Sequence, residues 1–193
     1  MAQTVRQAWV ALRVLLVMTV LVGIVYPLAV FLVGRVVPST ADGSFVTDAS
    51  GTVVGSALIG QSFDGSEWFW PRPSAAGDGY DGLASGGSNL AADNPDLVSA
   101  VAERQSAAAA ADGVAPAEVP ADAVTASGSG LDPDISPEYA LQQVTRVAAA
   151  RGLDVATVES LVADHTQGRA LGFVGEPRVN VLELNLALSQ LTP

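Results

Sequence analysis

The residues able to do chemistry are few and far apart. One histidine, His165, stands among 193 residues with no cysteine and no lysine. A Ser-His-Asp hydrolase would have to pair His165 with Ser127 or Ser129, the serine lying within hydrogen-bond reach of the imidazole. Neither serine sits in the G-x-S-x-G turn that exposes a nucleophile, and Ser129 lies in Gly128-Ser129-Gly130. A second glycine loop, Ser85-Gly86-Gly87-Ser88-Asn89, has the composition that turns backbone amides toward an anion. It lacks the strand-GxxxxGK[ST]-helix setting of a phosphate loop, and no lysine exists to complete one. A zinc site of the usual Cys/His kinds is excluded, and scattered carboxylates read as solvated surface, so no metal site is expected. The net charge of −11 argues against nucleic acid, which demands a basic surface.

The element that must position everything else is Val14–Val33, an uncharged run between Arg13 and Arg35. As a helix rising about 1.5 Å per residue it reaches roughly 30 Å, the thickness of a bilayer's hydrocarbon core. Only Thr19 and Tyr26 carry polar side-chain atoms, and a helix apolar all round belongs in lipid when so little protein remains to bury it. Pro27 should kink the span, and Gly23, one turn earlier, leaves a small face where a neighbouring helix could pack. Arg6 and Arg13 precede the span, while all 20 acidic residues follow it. The positive-inside rule therefore puts residues 1–13 in the cytoplasm, 14–34 across the plasma membrane, and 35–193 outside as a single soluble domain. The rival reading is a secretory signal cleaved near Ser39-Thr40-Ala41, which exports the same domain.

That domain is expected to be α+β: a small β-sheet with several helices. Without cysteine, its stability must come from packing. Short β-rich runs at Ser44–Val46, Thr52–Val54 and Ala57–Ile59 suggest a hairpin or meander. Trp68-Phe69-Trp70 ends at Pro71-Arg72-Pro73. It reads either as alternating core rings, with Phe69 turned away from the tryptophans, or as a docking surface for a partner or the membrane interface. Asn94-Pro95 opens an alanine-rich helix to about Ala111, and Asp112–Pro120 reads as a mobile spacer. Ser136-Pro137 opens a helix ended by Gly152, Asp154 caps another through His165, and Gly168–Pro177 is loop. Asn180 opens the last helix, although the alternation from Val179 also permits a strand.

Six blocks, Gly55–Gln61, Phe69–Ala75, Ser85–Leu90, Thr125–Pro137, Arg146–Ala148 and Gly175–Asn180, together resemble the C subunit of the Kdp potassium pump. Their order and the single N-terminal span match, so the resemblance covers nearly the whole chain. Asp134 stands where that family commonly has His, Gln167 where Glu is common, and Ala91-Ala92 where Gly-Pro often follows Leu.

The resemblance implies an inner-membrane complex that hydrolyses ATP to import K⁺, the transported substrate. Its partners would be a P-type ATPase subunit, a channel-like potassium-binding subunit and a small single-span subunit. This chain would be non-catalytic, a catalytic chaperone raising the pump's affinity for ATP. No firmly bound cofactor is expected; the resemblance makes Ser85, Gly86, Gly87 and Gln143 the residues that would touch ATP. Topology opposes direct contact, because cytoplasmic ATP lies about 30 Å of hydrocarbon away. A membrane-anchored extracytoplasmic hydrolase or binding domain is the competing class.

Overall fold

The computed structural model describes residues 2–191 and divides into two compact units, Met1–Phe45 and Val46–Pro193. The first is one continuous apolar helix, Ala2–Gly34, with a mean hydropathy of 2.6 over its most apolar window and no buried residue. It comprises α1 (Ala2–Val20), a π-turn at Leu21–Val25 and α2 (Tyr26–Gly34). The π-turn is how the span accommodates Pro27. The proline cannot donate to the carbonyl four residues back, and the ladder has already widened one turn earlier, where Tyr26 N–H reaches Leu21 O. The helix also extends twelve residues ahead of Val14, through Arg6 and Arg13, because residues 2–13 contain no Gly or Pro to stop it. A short helix, α3 (Pro38–Ala41), follows.

A two-stranded sheet follows, of β1 (Phe45–Thr47), whose last two residues open the second unit, and β2 (Val53–Ser56). Asp48 organises the turn between them: its Oδ1 accepts from Ser50 N–H, the Ser50 hydroxyl and Thr52 N–H. These bonds favour the ionised form and hold the carboxyl below its usual range, the Ser50 hydroxyl contributing most. Ala57–Ile59 is a turn rather than the strand its composition suggested, since the Ser56 hydroxyl takes Leu58 N–H and closes the backbone on itself.

Beyond a long irregular stretch come α4 (Pro95–Asp112), a 3₁₀ turn at Pro116–Glu118 and α5 (Ala121–Val124). These are followed by β3 (Asp134–Ile135), α6 (Pro137–Arg151), α7 (Val155–Asp164), β4 (Thr166–Gln167), β5 (Arg178–Asn180) and α8 (Val181–Ser189). The helix signals read from sequence lie where expected. Asn94 accepts from Asp96 N–H, Ser136 from Tyr139 N–H and Asn180 from Glu183 N–H, and Gly152 ends α6 in left-handed conformation; Gly113, not singled out in the sequence, ends α4 in the same way. Asp154 holds the cap position of α7 without a side-chain cap bond. The ambiguity at Val179 resolves both ways. Arg178–Asn180 is the centre of an antiparallel sheet ordered β3-β5-β4, and the helix begins at the next residue.

One core joins these pieces. Helix α6 turns Tyr139, Ala140, Gln143, Val144, Val147 and Ala148 inward at helical spacing. They meet Val158 and Val162 of α7, Val179 of β5, and Leu184 and Leu188 of α8. Phe69 fills the centre with no exposed surface.

Candidate functional site

Phe69 and the tryptophans reverse the parity expected for them. Phe69 is the fully buried ring; Trp68 and Trp70 are half-buried, Trp68 packing against the edge of the core. Among the described residues the segment pairs with no strand. It is instead paired by two amide side chains, each reading one residue as a neighbouring strand would. Asn185 accepts Phe69 N–H at 2.9 Å and donates to Phe69 O at 2.9 Å. Gln143 accepts Trp70 N–H at 2.6 Å and donates to Trp70 O at 3.2 Å. Buried backbone polar groups must be paired, and helices on either side leave only side chains to do it.

Arg146 locks this arrangement from outside. Its Nε donates to Asp112 Oδ1 at 2.8 Å, Nη1 to the carbonyls of Ser66 and Trp68, and Nη2 to Gln143 Oε1 at 2.7 Å. The guanidinium also lies 4.0 Å from the centre of the Trp70 ring, and Arg151 covers Trp68 similarly at 5.0 Å. In the Arg146–Asp112 pair the side chains are 6% and 0% exposed. Asp112, expected to begin a mobile spacer, is therefore the enclosed anion that ends α4. Tyr139 is pushed well above its ordinary pKa, by burial first and by the charge of Asp112 second.

The two glycine loops form the second cluster. Gly86 N–H donates to Ser129 O at 2.8 Å and the Ser85 hydroxyl to the same oxygen at 3.0 Å. Gly130 has φ +66°, and a Cβ there would stand 2.6 Å from both Gly86 O and Ala76 N. The Ser74 hydroxyl donates to Gly130 O at 2.6 Å and accepts Tyr80 N–H. Tyr80 donates its hydroxyl to Arg72 O, and burial, helped by Asp64, pushes its pKa up to about 12. The amides of the loop at 85–87 are thus turned partly toward the loop at 127–130. Among the described residues, no hydrogen bond links Gln143 to either loop.

A third region is an open cleft of about 510 Å³ lined by Arg72, Asp122, Asp132, Asp134, Glu138 and Arg178, with others. Both arginines are taken: Arg72 by Asp132 at 2.9 Å and Arg178 by Asp134 at 3.0 Å. Burial raises the Asp134 pKa despite its arginine. With both cations paired, the cleft offers little to a polyphosphate. Among the described residues no group of three or more His, Asp or Glu is placed to hold a metal ion.

The serine and histidine candidates do not meet. Ser127 and Ser129 face each other, hydroxyl to hydroxyl, at 3.3 Å, and His165 Nδ1 is bonded to Leu161 O at 2.9 Å. Nothing here assembles a triad. Sequence reasoning missed Asn185, Asp112 and the Arg72–Asp132 pair. Only the i, i+3 placement of Gln143 and Arg146 on one helix face hinted at a joint role.

Comparison with known proteins matches residues 8–190 to the family model described as KdpC, K+-transporting ATPase, c chain. The potassium-transporting ATPase KdpC subunit of Kineococcus radiotolerans is 64% identical over 188 residues, 97% of this chain and 95% of that protein. That of Beijerinckia indica subsp. indica is 52% identical over 194 residues, 100% of this chain and 96% of that protein. That of Mycobacterium tuberculosis is 53% identical over 188 residues, 96% of this chain and 99% of that protein.

Proposed function

The chain belongs to the KdpC family, the c chain of the K+-transporting ATPase, and from that premise we propose that it is a non-catalytic accessory subunit of an ATP-driven potassium importer. The observation carrying this reading is a family match over nearly the full length, joined to one helix apolar enough to span a membrane. Its partners are the P-type ATPase subunit, which does the phosphoryl chemistry, the channel-like subunit, which selects K⁺, and the small single-span subunit. The N-terminus lies in the cytoplasm and the Val46–Pro193 unit outside, by the arginines at 6 and 13.

Its influence on ATP is coupling. The geometry supports this: Gln143 has no exposed surface, and both its amide atoms are engaged within the fold. The chain biases the equilibrium between pump states through the span and partner helices, as an effector bound at a distinct site does. Removing the chain from the purified pump should shift the ATP concentration for half-maximal hydrolysis several-fold. The full chain alone in detergent should show no saturable ATP binding in the micromolar range. Saturable binding by the chain alone would restore a direct nucleotide contact.

Gly23 and Pro27 carry the coupling into the membrane. A Cβ on Gly23 would meet within this chain only the Thr19 methyl, at 4.0 Å. Gly23→Leu is thus silent inside the helix and felt only by a neighbour packed on that face. It should leave membrane insertion intact and lower recovery of the larger subunits in mild detergent. Equal recovery would make the span a plain anchor.

A further inference from the structure

We propose that the backbone carbonyl of Gly23, left short of a donor by the π-turn and Pro27, accepts a hydrogen bond from an uncharged hydroxyl or amide side chain on a transmembrane helix of another pump subunit; this rests on the family reading above and names the chemistry of its membrane contact. Tyr26 N–H, the ordinary donor to the Val22 carbonyl four residues back, is taken by Leu21 O. Pro27, which would serve the Gly23 carbonyl, has no N–H. Val25 caps α2, so its carbonyl takes the first bond of that helix, from Ala29. The carbonyls of Val22, Gly23 and Ile24 are left with the N–H of Leu28 alone, so two of the three lack a partner along the helix.

Gly23 stands midway along the uncharged run Val14–Val33. At that depth no bulk water makes good the shortfall, and backbone polar groups in hydrocarbon have to be satisfied by protein. The chain's own side chains do not do it. Thr19 and Tyr26 carry the polar side-chain atoms of the run, and among the described residues neither is bonded to a carbonyl of the span. A threonine hydroxyl in a helix reaches carbonyls three or four residues before it, and Gly23 comes after Thr19. Access from outside is open: a Cβ on Gly23 would meet only the Thr19 methyl, at 4.0 Å, so a neighbouring backbone can come close to the carbonyl.

Hydrogen-bond chemistry chooses the occupant. Acyl chains carry no donor, so lipid leaves the carbonyl as it is. A buried water makes about three hydrogen bonds, and the two carbonyls offer it two acceptors. A second copy of the chain brings two further unpaired carbonyls and, at that height, a single phenol, Tyr26, so pairing two copies leaves acceptors over. An ionised donor is expensive at the centre of the bilayer. What remains is a neutral donor side chain from a different transmembrane helix, and in a multi-subunit pump such helices lie alongside the span.

The sequence contains one Gly-Ile pair, Gly23-Ile24, which lets this carbonyl be observed by itself. The full chain is isotope-labelled at the glycine carbonyl carbon and the isoleucine nitrogen. Solid-state NMR then compares the chain alone in lipid bilayers with the chain reconstituted with the unlabelled pump subunits. The expected result is a downfield move of the Gly23 carbonyl resonance on assembly, the direction that hydrogen bonding imposes. In Pro27→Ala, which returns the missing N–H, the resonance should already lie downfield in the chain alone and stay there on assembly. Recovery of the larger subunits with that variant should fall about threefold or more, the loss of one interhelical hydrogen bond. An unmoved Gly23 resonance in an assembled pump overturns the proposal and leaves the family reading standing. A downfield position already present in the unaltered chain alone, from water or from a second copy, also overturns it, as does magnetisation reaching the carbonyl from water protons in the complex. If the unaltered chain brings down no pump subunit at all, the family-based reading fails, and this proposal with it.

Discussion

Arg146→Ala should lower the stability of the Val46–Pro193 unit by about 3–5 kcal/mol, the cost of breaking one side of a buried ion pair. The variant leaves the Asp112 carboxylate enclosed without its cation, the carbonyls of Ser66 and Trp68 without their donor, and the Trp70 ring uncovered. It also frees Gln143 Oε1 from one of its two donors, loosening the amide that pairs Trp70. For a unit of about 150 residues the loss corresponds to a fall in Tm of about 10 °C, read by circular dichroism on the full chain in detergent. Asp112→Leu combined with Arg146→Met should lose much less than the two single changes summed, because the pair's burial cost leaves with the pair. A fall of 2 °C or less for Arg146→Ala would mean that the pair adds little and that Asn185, Gln143 and the buried Phe69 hold the Trp68–Trp70 segment without it.

The second large effect concerns the glycine loops. Gly130→Ala places a methyl 2.6 Å from two backbone atoms, Gly86 O and Ala76 N, and 2.9 Å from the Ala76 side chain, at φ +66°. Backbone cannot rotate away as a side-chain tip can, so the loops at 74–76 and 85–87 must separate from 127–130. The left-handed conformation costs about 1–2 kcal/mol for a residue with a Cβ, and forced repacking about 1–3 more. Together these predict a loss of about 2–5 kcal/mol, again measured by thermal denaturation. Gly128→Ala, two residues away, meets nothing within 4 Å and should fall within about 0.5 kcal/mol of the parent. Equal behaviour of the two variants would show that the loops are not packed together in solution.

These contacts mark where sequence reasoning stops. Caps at Asn94, Ser136 and Asn180 and the stop at Gly152 were legible because each acts within four residues of itself. The span was legible because lipid admits only one kind of helix. The inward ring of Trp68-Phe69-Trp70 was not, because its partners Asn185 and Gln143 lie 116 and 73 residues on. No local period records that distance. The three-stranded sheet was visible only at Val179, where alternation permitted a strand; β3 and β4, two residues each, are too short to alternate. Both glycine loops were noticed, yet their mutual packing is tertiary; read separately, the loop at 85–89 resembled an anion nest and the loop at 127–130 a place for a nucleophilic serine. Asp112 looked like the start of a spacer because an alanine-rich run says nothing of what its last carboxylate will meet.

The central claim, that this chain works as a subunit of a potassium-transporting ATPase, is tested most directly by purifying the tagged full chain from its native membrane in mild detergent. Every co-purifying chain is then identified by mass spectrometry. The account predicts recovery, in fixed stoichiometry, of a P-type ATPase subunit and a channel-like potassium-binding subunit, with K⁺-stimulated ATP hydrolysis in the same fraction. Recovery of the chain alone, as a free-standing anchored domain, would contradict it.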